Sequence, residues 1–153
     1  MKSRLQITSL SEKNLLSVRF DGNELPPVEV TTDAGQPPLL AGEYIVKGSF
    51  AMISGGKVMA AVGNPPANSA LLGIAMDSYD ARSSLVDVAK NMQFRRGACW
   101  MKSKAFDLPD ASTMMRTVYV QDNEQVGKTS GGANALALKQ LGFTATETKV
   151  LVS

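Results

Sequence analysis

From Gly42 onward, the sequence consists of short β-favouring segments separated by turns rich in glycine, asparagine and proline. These segments recur at intervals of roughly eight to twelve residues, and none continues into a helical period. The pair Gly55–Gly56 is typical of a two-residue hairpin turn, and residues 63–69 have the composition of a loop. Short strands joined by such turns build barrels and sandwiches, so the sequence predicts an all-β domain of one of these kinds.

Two stretches of the chain match at a nearly constant spacing, which favours a duplicated strand unit. Each contains a hairpin, a return strand with a Leu-Gly pair and a Val-x-Val segment. The matched residues are Phe50, Met52 and Val58 with Val118, Val120 and Val126; Leu72, Gly73 and Ile74 with Leu141, Gly142 and Phe143; and Val86 and Val88 with Val150 and Val152. Because a glycine inside a strand marks a bulge or a close backbone approach, we expect one of these at both Gly73 and Gly142. The match also predicts a strand over Leu85, Val86 and Val88.

Residues 1–40 lack this regular pattern. They hold four of the seven prolines of the chain, in two adjacent pairs: Pro26, Pro27, Pro37 and Pro38. Proline pairs favour extended backbone and cannot occupy central strands. We interpret residues 1–40 as an extended N-terminal arm and residues 41–153 as a β-barrel-like domain. An edge hairpin on the same domain, including a strand at Pro27–Thr31, explains the first forty residues equally well.

The residue inventory argues against catalysis. The 153 residues include no histidine, and Cys99 is the sole cysteine. Imidazole acid/base chemistry, imidazole metal ligation and an internal disulfide are therefore excluded for this sequence. Cys99 lies in an apolar segment and is interpreted as structural, and Asp77, Asp80 and Asp87 match no calcium-loop spacing. The sequence predicts a protein that is not an enzyme, with no catalytic residues, no cofactor and no metal ligands.

One basic and aromatic stretch allows a different function. No acidic residue lies between Asp87 and Asp107, an interval that contains Lys90, Phe94, Arg95, Arg96, Trp100, Lys102 and Lys104. Small barrels bind single-stranded nucleic acid by stacking bases on aromatic side chains in a basic groove. The competing interpretation is that Phe94 and Trp100 face the core. The net charge is only +2, and no apolar run approaches the ~20 residues of a membrane span, so neither nucleic acid nor a membrane is the expected partner.

Several segments in the larger part of the chain carry a resemblance to a known family: Ile45–Val58, Leu72–Ala75, Val118–Asn123, Leu141–Phe143 and Val150–Val152. Through them, the region from about Leu40 to Ser153 resembles bacteriophage capsid cement, or head decoration, proteins. The resemblance implies a compact β-barrel or β-tulip-like domain, often with an N-terminal arm. It implies a virion protein, made in the host cytoplasm, that binds the capsid exterior and clamps neighbouring major capsid subunits, frequently as a homotrimer.

The arm is the first candidate contact surface, although residues 1–39 depart from the family pattern. An extended segment can add a strand to a neighbour's sheet edge through main-chain hydrogen bonds. The candidate partner-binding residues are therefore the arm residues Pro26, Pro27, Val28, Val30, Pro37 and Pro38, with Arg95 and Arg96 from the basic stretch. The expected partners are the major capsid protein and further copies of this chain.

Overall fold

The structure, a computed structural model, describes residues 19–20 and 28–153. Within these residues the fold is all-β, and its helical content is a single 3-10 turn at Ala111–Thr113. The strands, in chain order, are β1 (Arg19–Phe20), β2 (Val28–Thr31), β3 (Tyr44–Ile45), β4 (Phe50–Ser54), β5 (Lys57–Ala60), β6 (Ala70–Ala75), β7 (Tyr79–Asp80), β8 (Gln93–Ser103), β9 (Thr117–Val120), β10 (Gln125–Gly127), β11 (Ala137–Phe143) and β12 (Glu147–Val152). The part of the chain described here contains no helix that could cross a bilayer.

Five strands close into a barrel, which confirms the expected fold class. Their order is β8, β12, β11, β9 and β10, and β10 returns to pair with the end of β8. This last pairing is parallel and joins Gln125 to Lys102 and Val126 to Ser103, whereas the other four are antiparallel. Closure satisfies the main-chain groups of strands that would otherwise present free edges.

The first half of β8 also belongs to a second sheet. Strands β6, β4 and β5 follow one another on one side, while β2 pairs with the other side of β8. Because successive side chains of a strand point to opposite faces, this sheet separates two apolar cores. Phe50, Met52 and Ile74 face the barrel core, whereas Ala51 and Ala75 face a second core built around Leu39, Ile45, Val58, Met92 and Phe94.

The predicted duplication is visible in strand order. Strands β5, β4 and β6 lie side by side in the same arrangement as β10, β9 and β11: a hairpin whose first strand also pairs with the returning strand. The pairing register shifts beside both matched glycines, so a bulge is confirmed at each. Leu72 is the additional residue in β6 and Leu141 the additional residue in β11. The two bulges occur in different strand pairings: the bulge of β6 lies in its pairing with β4, and the bulge of β11 lies in its pairing with β12.

The predicted strand over Leu85, Val86 and Val88 is wrong. Leu85 is 97% exposed and Val86 is 71% exposed, and both lie in a loop. Val88 contributes an isolated bridge to Leu39 rather than a strand. Ser84 explains the difference, because its hydroxyl donates to the carbonyl oxygen of Val86 and accepts from the Val86 amide. Such local side-chain bonds offer the backbone an alternative to a sheet ladder.

The described part of the first forty residues is joined to the domain. Val28–Thr31 is a strand, as predicted, and pairs with β8 along its outer edge. Arg19–Phe20 pairs with the same strand further along. A tight turn between Asp33 and Gln36 follows, and Leu39 is completely buried in the second core. The described residues of this segment therefore form an edge strand and a core-bound connection.

Candidate partner-contact surfaces

Arg95 and Arg96 both bind parts of their own chain. The side chain of Arg95 is 1% exposed, and its Nη2 lies 2.6 Å from Oε2 of Glu29 in β2. Arg96 donates from Nε to the carbonyl oxygen of Leu72 (2.7 Å) and from Nη2 to that of Leu71 (3.3 Å). Because Leu72 is the bulge residue of β6, Arg96 binds a carbonyl that the bulge displaces from the ladder. These two arginines hold the second sheet together.

The predicted contact residues of the arm fall into two groups. Pro26 and Pro27 lie outside the described residues. The backbone of Val28 pairs with Arg96, and the half-buried Val30 packs against the second core. Pro37, which follows a cis peptide bond, and Pro38 are also half-buried. The carbonyl oxygen of Pro38 accepts a hydrogen bond of 2.8 Å from the amide of Val58. Val28, Val30 and Pro38 are therefore bonded to the rest of the described chain through their backbones.

The basic and aromatic stretch is divided between core and surface. Phe94 is completely buried and lies against Tyr79, with 6.1 Å between ring centroids. Trp100 is half-buried, whereas Lys102 and Lys104 are exposed. Phe94 thus offers no face on which a base could stack.

The acidic and thiol groups serve the fold where the structure describes them. Cys99 is completely buried, and this burial raises the pKa of its thiol to about 12. Hydrogen bonds from the Arg82 guanidinium lower the pKa of Asp80 to about 2. The amide of Ala41 and the ammonium of Lys57, both bound to Asp87, lower the pKa of that carboxyl. Among the described residues, no three metal-ligating side chains come together.

A cavity of about 620 Å³ opens beside the start of β8. Its wall includes Thr32, Tyr79 and Gln93, and these groups are already bonded within the protein. The Tyr79 hydroxyl accepts a hydrogen bond of 2.8 Å from the Gln93 amide. The Thr32 hydroxyl donates to the Lys90 carbonyl and accepts from the Met92 amide. The Thr32 and Tyr79 hydroxyls are therefore bonded to the backbone beside the cavity.

One surface that the sequence did not indicate is the loop at residues 82–87, here called the Leu85 loop. It presents the exposed side chains of Leu85 and Val86. Main-chain bonds fix both of its ends: the Ala81 amide donates to the Glu43 carbonyl, and Leu39 and Val88 exchange two hydrogen bonds of 2.8 Å. In the sequence, Val86 and Val88 alternate with a polar residue as in a half-buried strand, so the pattern could not distinguish the two arrangements.

The base of the Leu85 loop is stiffened by charged side chains. Arg82 binds Asp80 through two nitrogens, at 3.0 Å from Nε and 2.9 Å from Nη2. Its guanidinium carbon also lies 4.1 Å from the centroid of the Tyr44 ring, as in a cation–π contact. At the other end, the Asp87 carboxylate accepts from the Ala41 amide at 2.9 Å. The apolar tip is therefore carried by a loop with defined geometry.

A second surface that the sequence did not indicate is the turn at residues 104–107, here called the Phe106 turn. The side chain of Phe106 is fully exposed, with a relative accessibility of 105%.

Comparison of the chain with protein-family models, curated proteins and solved structures finds no match.

Proposed function

We propose that this protein is a structural component of a phage virion that binds the outer surface of an assembled capsid. In this role it stabilises contacts between major capsid subunits, without catalysis and without a cofactor. It is made in the host cytoplasm and acts on the capsid as a homotrimer. The resemblance of residues 40–153 to cement proteins suggests the partner, and the barrel is the kind of fold that this resemblance implies.

The observation that carries the proposal is the outward presentation of Leu85 and Val86 on a bonded loop. Two adjacent aliphatic side chains, 97% and 71% exposed, contribute nothing to either core. Contiguous exposed apolar groups mark protein-interaction sites more often than isolated ones do. A loop that is already fixed loses little conformational entropy on binding, so a small contact can still be favourable.

A cement protein requires only modest affinity at each contact. When several copies or several contacts engage one particle, each further contact becomes effectively intramolecular. A trimer would present three Leu85 loops to symmetry-related capsid subunits. The sum of three small apolar contacts could then hold neighbouring subunits together.

Co-sedimentation with capsids tests the proposal. Empty capsids assembled from the major capsid protein of the same phage are mixed with the wild type and with the double variant Leu85→Ser, Val86→Ser. We expect the wild type to sediment with the capsids and to raise their disruption temperature. The double variant should retain its thermal stability but bind at least about tenfold more weakly, because buried leucine and valine contacts are worth about 1.5–3 kcal/mol each.

The matched control is Val62→Ser, a change at an apolar residue that is 43% exposed and lies outside the Leu85 loop. We expect this variant to bind as the wild type does. If the wild type fails to bind the capsids, the proposed function is wrong. Equal binding of the double variant would remove the Leu85 loop as the contact.

A further inference from the structure

The Phe106 turn places an aromatic residue where glycine is normally required. The Asp107 amide donates to the Lys104 carbonyl at 3.1 Å, which closes a four-residue turn with Phe106 in its third position. Phe106 has a φ of +65°. Turns with a positive φ at this position favour glycine, because a Cβ makes the conformation unfavourable by about 1–2 kcal/mol.

Several bonds hold this turn in its unfavourable conformation. The Lys104 amide donates to the Val126 carbonyl at 2.9 Å, and the Lys128 amide donates to the Asp107 carbonyl at 3.1 Å. The Asp107 carboxylate accepts from both the amide and the hydroxyl of Thr129, at 3.0 and 2.9 Å. The turn is thus fastened along β10 and the loop that follows it.

Gly127 permits this close approach. A Cβ at Gly127 would lie 2.5 Å from Oδ2 of Asp107, far inside van der Waals contact. The backbone of β10 and the Asp107 carboxylate can therefore meet only because position 127 has no side chain. The same carboxylate is the group that holds the base of the Phe106 turn.

The fold gains nothing from Phe106 itself. Its side chain is fully exposed, so it leaves a large apolar surface in water, and its backbone conformation would suit glycine better. Strained residues that persist in a well-bonded frame are concentrated at functional sites. A protein that encloses the ring removes the cost of its exposure, and the energy of that contact can outweigh the backbone penalty.

The charged side chains around the turn indicate what kind of protein surface would enclose Phe106. Lys102 and Lys104 are exposed, and neither forms an ion pair with a carboxylate in the described part of the chain. Lys102 stands opposite Glu147 in the β8–β12 ladder, and the Lys104 ammonium donates to Oε1 of Gln121 at 3.4 Å. The nearby Asp107 carboxylate is bound to Thr129 and contributes one negative charge beside these two positive ones. The ring is therefore preceded by two cationic side chains that an acidic surface would complement.

We propose that Phe106 is an anchor that inserts into an apolar pocket, rimmed by carboxylates, on the major capsid protein. This inference rests on the proposed function and names a second contact beside the Leu85 loop. Aromatic residues in desolvated pockets contribute a disproportionate share of binding energy. Lys102 and Lys104 orient the approach and pair with the rim.

A second copy of this chain is a less suitable partner for Phe106. A groove of about 390 Å³ is lined by residues of β9, β11 and β12, among them Leu151 and the core residue Leu138. The same groove is lined by Arg116 and Lys139, which carry the same charge sign as Lys102 and Lys104. Insertion of Phe106 there would bring like charges together.

The variant Phe106→Gly separates binding from folding. We expect its thermal stability to equal or exceed that of the wild type, because glycine tolerates a φ of +65°. Its affinity for empty capsids of the same phage, measured by co-sedimentation titration, should fall at least about 30-fold, as for a hot-spot aromatic. Lys104→Glu cancels the charge of Lys102, so it should weaken binding and reduce its salt dependence. Phe143→Ala, a change at a phenylalanine that is 41% exposed on β11, is the matched control and should bind normally.

The outcomes distinguish this inference from the proposed function. If the wild type does not bind capsids, the proposed function fails and the inference fails with it. If the wild type binds and Phe106→Gly binds equally well, only the anchor is refuted. A loss of thermal stability in Phe106→Gly would also overturn it, since Phe106 would then serve the fold. So would a Phe106→Gly variant that changes the oligomeric state in sedimentation velocity but binds capsids normally, because the occupied pocket would belong to a second copy.

Discussion

Glu29 and Arg95 form an ion pair between two strands, and its partners differ sharply in burial. Oε2 of Glu29 lies 2.6 Å from Nη2 of Arg95. The arginine side chain is 1% exposed, whereas the glutamate side chain is 36% exposed. The pair links β2 to β8 across an antiparallel ladder in which Glu29 and Arg95 stand directly opposite each other. The edge strand is thus attached by charge as well as by main-chain bonds.

Removing the Glu29 charge should destabilise the protein. In Glu29→Gln, the buried guanidinium of Arg95 keeps its charge but loses a carboxylate partner, so we expect the free energy of unfolding to fall by about 1–3 kcal/mol. Urea denaturation measures this difference. Asp80→Asn is the control, because the Asp80–Arg82 pair is exposed and its loss should leave the urea midpoint unchanged. Equal effects of the two changes would contradict the role assigned to burial.

The two bulge glycines should respond differently to alanine. A Cβ at Gly73 would lie 2.7 Å from the Arg95 carbonyl oxygen, and φ there is +148°. We therefore expect Gly73→Ala to lower the free energy of unfolding by about 2 kcal/mol or more. At Gly142 the nearest atom, Cβ of Lys149, would be 3.5 Å away, an ordinary contact. Gly142→Ala should change stability by less than about 1 kcal/mol, and a comparison of the two urea midpoints checks the contrast.

Gln140 is expected to fasten residues 110–116 to β11. It is completely buried, accepts a hydrogen bond from the Thr113 hydroxyl at 2.5 Å and donates to the Asp110 carbonyl at 3.1 Å. Gln140→Leu removes both bonds and should lower the free energy of unfolding by about 2–4 kcal/mol.

Hydrogen exchange locates the effect of this change. The Met115 amide donates to the Gln140 carbonyl at 2.9 Å, so its protection should fall in Gln140→Leu as the segment loosens. Thr113→Val removes the bond to Gln140 together with the two bonds between the Thr113 hydroxyl and the backbone of Asp110, so protection at Met115 should fall in this variant as well. Unchanged exchange at Met115 in both variants would show that the segment is held by other contacts.

Cys99 should make stability depend on pH in the alkaline range. Burial raises the pKa of this thiol from 9.0 to about 12, so the folded state favours the neutral form. The resulting stabilisation is fully present below pH 9 and is lost as the pH rises from 9 towards 12. The free energy of unfolding should fall more steeply with pH in the wild type than in Cys99→Ala, and urea titrations at several pH values measure this. Parallel curves for the two proteins would contradict the prediction.

Local turn chemistry was the most predictable part of the fold. Gly55 and Gly56 have φ values of +60° and +76°, which is the conformation that two-residue hairpins require and that glycine adopts readily. The bulges at Gly73 and Gly142 were predictable for a related reason, since glycine in a strand marks irregular pairing. In both cases the residue type itself limits the backbone.

Contacts between distant segments could not be predicted in this way. In the sequence, the adjacent pair Arg95 and Arg96 is typical of an exposed basic surface. In the structure, Arg95 binds Glu29 and Arg96 binds the carbonyl oxygen of Leu72, and both partners are distant in the sequence. The parallel return of β10 to β8 has no local signature either. Phe106 and Leu85 were missed because apolar residues are expected to be buried, and their exposure follows from the turns that carry them.

The shared strand β8 has a consequence for how the chain must be made. Side chains of β8 pack into both cores, and β12 pairs with β8 from Gly97 to Lys102. β12 follows every other described strand in the sequence, so the barrel cannot close until residues 147–152 have been made. Interrupted synthesis before Glu147 would leave the edge of β8 exposed to other chains.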